Sequence, residues 1–198
     1  MSDVILILNA GSSSIKFAIY ACTNVKLPTL ISGKIINLGD TPEFLANDIN
    51  GRSLPQSNSV KFDKTTTHED VILWLLHWFE HENQAYHIRG VGHRVVHGGG
   101  YYTKPTLLTP SIISQLQRLI PLASLHQPHN LSAIEAVSKW APKLPQVACF
   151  DTSYHHTQAP LARLFALPRK WSDKGIVRYG FHGLSYQYIA NRLPRYLG

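Results

Sequence analysis

Apolar residues recur along the chain with two distinct periods, and the change from one to the other separates its elements. "VILILN" (4–9) is apolar at nearly every position, as in a buried strand. In "IKFAIY" (15–20), Ile15, Phe17 and Ile19 interleave with Lys16, Ala18 and Tyr20, the two-residue period of a half-buried strand. "LISGKIINL" (30–38) reads as a third strand, and three strands with short connections predict an antiparallel meander. Residues 39–62 carry Gly, Pro, Asn and Ser with little periodicity and read as loop or weak structure.

The period then lengthens. In "TTHEDVILWLLHWFEHEN", Val71, Trp74, Leu75, Trp78 and Phe79 recur at helical spacing behind a capping-box pattern, Thr66 to Glu69. "IRGVGHRVVHGG" (88–99) is a strand running into a glycine loop. "TPSIISQLQRLIPLA" predicts a helix with Pro110 in its first turn. "NLSAIEAVSKWAP" predicts another, capped by Asn130 and stopped near Pro142. "PQVACFD" (145–151) is a strand ending in an acid, and "HGLSYQYIANRLPRYL" a last helix broken or kinked at Pro194. Three strands, helix, strand, two helices and strand make an α/β fold with a mixed sheet.

Composition narrows the class. With 198 residues and 44% hydrophobic content, the chain can bury one good core, or one domain plus part of a second. No apolar run reaches the roughly 18 residues of a membrane helix. "VILIL" is too short for a signal-peptide core and follows Asp3, not a basic region, so a soluble, cytoplasmic protein with no membrane partner is expected. Cys22 and Cys149 form no CxxC, which argues against a disulfide scaffold or a zinc knuckle, and Cys149 reads as a small core residue. Nineteen basic against 12 acidic residues leave +7, but the positive residues are scattered. Without a basic stripe or interleaved aromatics there is no case for nucleic acid, and a phosphorylated small ligand suits the charge better.

Four polar stretches stand at or beyond strand ends, where ligands gather in open α/β sheets. They are Asn9–Lys16, His93–Gly100, Leu125–Pro128 with Phe150–His155, and Arg178–Ser185. In the first, Gly11 and three serines let backbone N–H groups approach an anion, Lys16 adds a charge, and Asn9 could hold a hydrated Mg²⁺. An ordinary hairpin turn is the alternative, and no Walker loop is present. In the second, Arg94, Val96 and Gly98 share one strand face and His93, Val95 and His97 the other. The histidines are a metal pair or satisfied structural residues, and the absence of a third ligand favours the latter. Arg94, in an apolar strand, needs an anion, either a fixed carboxylate or a ligand. His126 reads as structural from its own stretch. Asp151 faces a metal or substrate, or serves a turn. His182 precedes a helix whose N-terminus favours anions.

Together "LNAGSSSIK", "GHRVVHGG", "LHQP", "FDTSYH" and "RYGFHG" resemble the acetate kinase family, with its propionate and butyrate kinase relatives, in the family's order across residues 4 to 186. That resemblance implies the superfamily of sugar kinases, actin and heat-shock chaperone ATPases, with paired ribonuclease-H-like domains. Residues 1–150 would then be the first domain and 151–198 the start of a truncated second. The implied reaction is Mg²⁺-dependent phosphoryl transfer between ATP and a short-chain carboxylate. Asn9 would contact Mg²⁺, and Ser12, Ser14 and Lys16 would line the phosphate side. Arg94 would bind the carboxylate or the transferring group. Val96, Leu125 and Phe181 would form the acyl pocket. His126 and His182 would stabilise the transferring group, and Asp151 would organise metal and substrate.

Three departures stand out. Gly98-Gly99-Gly100 replaces the expected "HGGE", so one acid is missing; "SLHQP" replaces "PLHNP"; and Leu184 and Tyr186 alter the usual "HGTSH". Family members are also considerably longer. Their second half carries adenine-binding glycine motifs, a second catalytic Arg and a metal-binding Glu, and the family usually forms dimers. The 198-residue piece is therefore expected to be inactive or nearly so alone. The alternative is a non-catalytic anion- or nucleotide-binding domain acting through a partner.

Overall fold

The computed structural model describes residues 2–23, 27–54, 62–82 and 85–197. Its strands are β1 (Ser2–Ala10), β2 (Ile15–Ala21), β3 (Thr29–Ile36), β4 (Glu43–Asp48), β5 (Tyr86–Val95), β6 (Thr106–Leu107) and β7 (Gln146–Phe150). They form one mixed sheet in the order β4-β3-β2-β1-β5-β7-β6. The meander β1 to β4 is antiparallel, as the short connections predict. β5 then pairs parallel with β1, and β7 parallel with β5, so the carboxyl ends of these three strands lie at one edge of the sheet.

β4 corrects the loop expected over 39–62, within which residues 55–61 lie outside the described part. Phe44 and Ala46 point inward at a two-residue period, while the alternating Glu43, Leu45 and Asn47 are exposed. Six residues with only two buried side chains leave too short a pattern to stand out from the turn residues around it. β1 is also half-buried, not buried throughout. Val4, Leu6 and Leu8 enter the core, whereas Ile7 is 37% exposed on the other face.

That core lies against two helices, α1 (His68–Glu82) and α3 (Gln127–Trp140). Val71, Leu75 and Trp78 of α1 and Ala133 and Val137 of α3 pack on the inward residues of β1, β2 and β3. Phe44 anchors the aromatic part, its ring 4.8 Å from Trp78 and 5.0 Å from Trp74. A second cluster joins Val95, Ala148 and Phe150 to Leu131 and Ile134 of α3 and to Leu116 of α2 (Pro110–Gln117). The ends of β5 and β7 are therefore locked from beneath.

The helix signals shift by a residue or more. The reciprocal cap of α1 is Thr67 with Asp70, not Thr66 with Glu69. Thr66 is spent in the preceding turn, where its hydroxyl accepts from the Asp63 N–H at 2.9 Å. Glu69 instead accepts from Lys139 at 2.6 Å, bridging α1 to α3. α2 stops at Gln117, and Ile120–Leu122 makes a 3₁₀ turn around Pro121, which cannot continue a helix. α3 starts at Gln127, which places Asn130 inside the helix rather than at its cap.

Beyond β7 the chain has α4 (Arg169–Asp173), α5 (Gly183–Arg192) and α6 (Pro194–Leu197), with the break falling at Pro194 as expected. From Ser153 onward Gly183 is the only buried residue among those described, and Ile189, Leu193 and Tyr196 are exposed. No helix among the described residues is long and apolar enough to cross a membrane.

Candidate active site

The antiparallel pairing of Ala10 with Ile15 makes Gly11–Ser14 a hairpin loop, closed by a hydrogen bond from the Gly11 N–H to the Ser14 carbonyl at 2.8 Å. The tip of this hairpin borders a ligand-sized cleft. Gly11, Ser12 and Ser13 line the cleft, and the N–H groups of Ser12 and Ser13 take no backbone partner among the described residues. The hairpin reading is the one the backbone shows. The tip offers free donors of the kind that cradle anions.

Arg94, the penultimate residue of β5, reaches into the same cleft, which encloses about 640 Å³. Its Nε and Nη2 donate to Oδ2 of Asp151 at 3.0 and 2.5 Å, and its Nη1 donates to Oδ1 of Asn9 at 3.1 Å. Asp151 directly follows β7 and is 2% exposed, while the Arg94 side chain is 26% exposed. The anion this arginine needs is thus a fixed carboxylate. Three contacts orient the guanidinium, and its remaining N–H donors stay available to a ligand. Adjacent strand ends put these groups together: Leu8 is in register with His93, and Arg94 with Cys149.

The opposite wall comes from two connections. Pro121–His126 precedes α3, and Phe181 with His182 precedes α5. His126 occupies the cap position of α3 without capping it. His182 caps α5 with its backbone in the left-handed region, φ 57° and ψ 22°. A non-glycine residue pays about 1–2 kcal/mol for that conformation, which the rest of the fold must impose. Two contacts impose it. The Gly183 N–H donates to the Asp151 carbonyl at 2.8 Å, and the His155 ring Nε2 meets the Phe181 carbonyl at 3.0 Å. The ring of buried His97 packs edge-on below Tyr179 and Phe181 at 4.5 and 5.8 Å.

The cleft thus gathers Ser12, Arg94, Val96, Leu125, His126, Asp151, Phe181 and His182 from the expected set, with Asn9 joined through Arg94. Ser14 and Lys16 do not line it. The Ser14 carbonyl closes the hairpin, and Lys16 stands exposed on the uncovered sheet face, in register with Asn9 and Lys34. His93 and His97 are satisfied structural residues. His93 Nε2 meets Oε1 of Gln146 at 2.8 Å, and His97 Nδ1 accepts from the Gly99 N–H at 2.8 Å. Burial pushes the pKa of His93 down to about 4 and that of His97 down as well. Cys149 is only partly buried, and desolvation raises its pKa. A cavity of about 700 Å³ lies at the other end of β5 and β7, away from the carboxyl ends of the strands.

Sequence reasoning missed the residues that support the site. Asn130 and Gln127 are buried polar residues on α3. Gln127 pairs with both backbone groups of His97, at 3.1 and 3.0 Å. A signal existed, since 127, 130, 134 and 137 follow helical spacing, so two polar residues occupy a core stripe. His68 was also missed. Its Nε2 donates to the Gly11 carbonyl at 2.9 Å, and its ring stacks on His129 with centroids 4.2 Å apart.

No group of three or more His, Cys, Asp or Glu suited to a metal occurs among the described residues. The cleft offers hard oxygen donors in Asn9 and Asp151, which fits a cation such as Mg²⁺ that keeps water and phosphate oxygens for most of its ligands.

A mixed sheet whose carboxyl edge carries this cleft is one half of an actin-like ATPase fold, as solved relatives show. The chain belongs to the acetokinase family, whose pattern it matches over residues 4–198. It is 48% identical to an acetate kinase of Rhodopseudomonas palustris, aligning over all of this chain and 50% of that protein. It is 41% identical to one of Rhizobium meliloti over 96% of this chain and 48% of the other. A propionate kinase from Francisella tularensis superposes with a TM-score of 0.83 at 31% identity, covering 100% of this chain and 49% of that one. A Porphyromonas gingivalis acetate kinase gives 0.81 at 31% identity, over 99% and 49%. The chain spans about half the length of the curated relatives it matches.

Proposed function

We propose that this chain forms the carboxylate and phosphoryl-transfer wall of an acetate kinase, which moves a phosphoryl group between ATP and acetate to give acetyl phosphate and ADP. The observation that carries the proposal is the clamped Arg94, held by Asp151 and Asn9 in one cleft with His126 and His182. A carboxylate is already a nucleophile, so the site needs no strong base. One of its oxygens bonds to the γ-phosphorus as the bond to the ADP oxygen breaks. The loose transition state spreads negative charge over three oxygens, and catalysis is positioning plus positive donors. In this reading Arg94, His126 and His182 donate to those oxygens, and the free N–H groups of Ser12 and Ser13 bind phosphate. Val96, Leu125 and Phe181 enclose the methyl group. When bound, Mg²⁺ would neutralise phosphate charge, held through Asn9 and Asp151.

Residues 1–150 act as the first ribonuclease-H-like domain. Residues 151–198 begin the second, consistent with their few buried side chains. The complete enzyme is cytoplasmic and homodimeric in this reading, and the second half supplies most of the ATP site. Propionate is the second substrate to test, because a propionate kinase is among the superposable structures and one methylene is worth only about 1–3 kcal/mol of discrimination.

The test is acyl phosphate formation from ATP, measured on this chain and on a longer form carrying the second half. The short chain should be inactive or nearly so. In the long form, Arg94→Ala should lower the rate by a factor on the order of 10²–10³. Unchanged activity in that variant rejects the site. A long form that binds ATP and forms no acyl phosphate favours a binding domain that acts through a partner.

A further inference from the structure

The loop that carries Phe181 and His182 into the cleft has a second side. There Tyr179 and Gly180 close a separate cavity of about 120 Å³ against the glycine loop that follows β5. Arg163 and Arg178 both line it, with His155 and His156, and no Asp or Glu does. Neither arginine makes an ion pair among the described residues.

The Arg178 guanidinium is held in position, and a backbone bond ties its segment to Arg163. The Arg178 Nη2 donates to the Ala162 carbonyl at 2.9 Å, and the Arg178 N–H donates to the Arg163 carbonyl at 2.8 Å. Two guanidinium groups on one small cavity repel each other unless an anion lies between them. The imidazoles are likewise tied by one nitrogen each. His155 uses Nε2 toward Phe181 and His156 uses Nδ1 toward Ser153, at 3.0 and 2.6 Å. The second nitrogen of each ring has no protein partner among the described residues. Position 100, where the resemblance calls for an acid, is glycine, and a Cβ there would meet nothing nearer than the Tyr179 hydroxyl at 3.9 Å. Gly100 lines the cavity, and the space beside it is open.

We propose that this cavity binds a phosphate-sized oxyanion between Arg163 and Arg178. Ligands of drug size need about 300–1,000 Å³, so 120 Å³ restricts the occupant to a small anion or to the phosphate end of an ester. Planar guanidinium forks suit tetrahedral phosphate oxygens. Bound there, the anion ties Arg178 to the segment 99–100 and supports Phe181 and His182 from behind. The site is independent of the catalytic reading above.

The test is an NMR titration of the 198-residue chain with inorganic phosphate at constant ionic strength. The amides of Gly99, Gly100 and Gly180 should shift saturably. In Gly100→Glu, whose carboxylate takes the anion's place, and separately in Arg178→Gln, the dissociation constant should rise at least about tenfold, the loss of one charge-assisted hydrogen bond. Arg94→Ala should leave the three glycine shifts unchanged, which separates this cavity from the cleft. A second titration with glycerol 3-phosphate identifies the source, since a matching response admits phosphate esters and no response restricts the site to the free ion. The proposal is overturned if the three glycines ignore inorganic phosphate, or if both variants bind it as the parent chain does.

Discussion

The Asn130 side-chain amide donates to the Ala10 carbonyl at 2.6 Å, and its Oδ1 accepts from the Val96 N–H at 2.8 Å. The last residue of β1 and the residue just past β5 are thus stapled to one side chain of α3, on either side of Arg94. Asn130→Ala strands a buried donor and a buried acceptor. Each orphan costs about 1–3 kcal/mol, so unfolding free energy should fall by about 2–6 kcal/mol in urea denaturation. A loss below about 0.5 kcal/mol, the scatter of ordinary surface changes, would show that the staple is not needed.

Stability should fall on mild acidification. His93 is 2% exposed, and burial holds its pKa near 4 instead of 6.5. The folded chain therefore resists a proton that the unfolded chain accepts. The histidine contributes its full stability above pH 6.5, and that contribution drains away as pH drops from 6.5 to about 4. The gap corresponds to about 3 kcal/mol. Burial moves His97 and His129 the same way. Urea midpoints measured between pH 7.5 and 4.5 should decline, and His93→Gln should flatten the profile. A parent profile that is level over this range contradicts the assignment.

Gly183→Ala should damage the site more than its size suggests. An added Cβ would stand 2.3 Å from the Asp151 carbonyl oxygen, which is backbone and cannot step aside. The start of α5 must then move, and His182 with it. Overpacking of this kind costs about 1–3 kcal/mol. In a long form, phosphoryl transfer should drop further than Tm does, whereas equal survival of both would mean that α5 tolerates displacement.

The cap of α1 provides a control on local reasoning. Asp70→Ala removes the Oδ2 that accepts from both the N–H and the hydroxyl of Thr67. The loss should be about 1 kcal/mol. Glu69→Ala, one residue away, removes only an exposed bridge to Lys139 and should change the urea midpoint little. The reverse ranking would restore the Thr66–Glu69 box.

Much of this architecture is written in the chain. Ile15, Phe17 and Ile19 announce β2, and Val71 to Phe79 announce α1, because one buried face repeats at the period of each element. β4 escapes because only Phe44 and Ala46 turn inward. Asn130 misleads because a polar residue near a helix start reads as a cap, whereas here it is committed to Ala10 and Val96. Lys16 misleads in the other direction. Its motif places it beside the serines, and its register with Asn9 puts it on the same sheet face, yet it stands exposed one strand further from Arg94 and does not line the cleft.

By itself the sequence determined the order of the elements, the inward face of most of them and the short polar motifs at strand ends, since each is a local pattern of neighbouring residues. Only the tertiary structure decided that Asp151 and Asn9 are the partners of Arg94, that His126 and His182 share its cleft, and that Arg163 and Arg178 are left together without a carboxylate. Those facts depend on which strands lie side by side. Parallel pairing of β1, β5 and β7 goes with the burial of one sheet face against α1 and α3, and no local window of the chain contains that information.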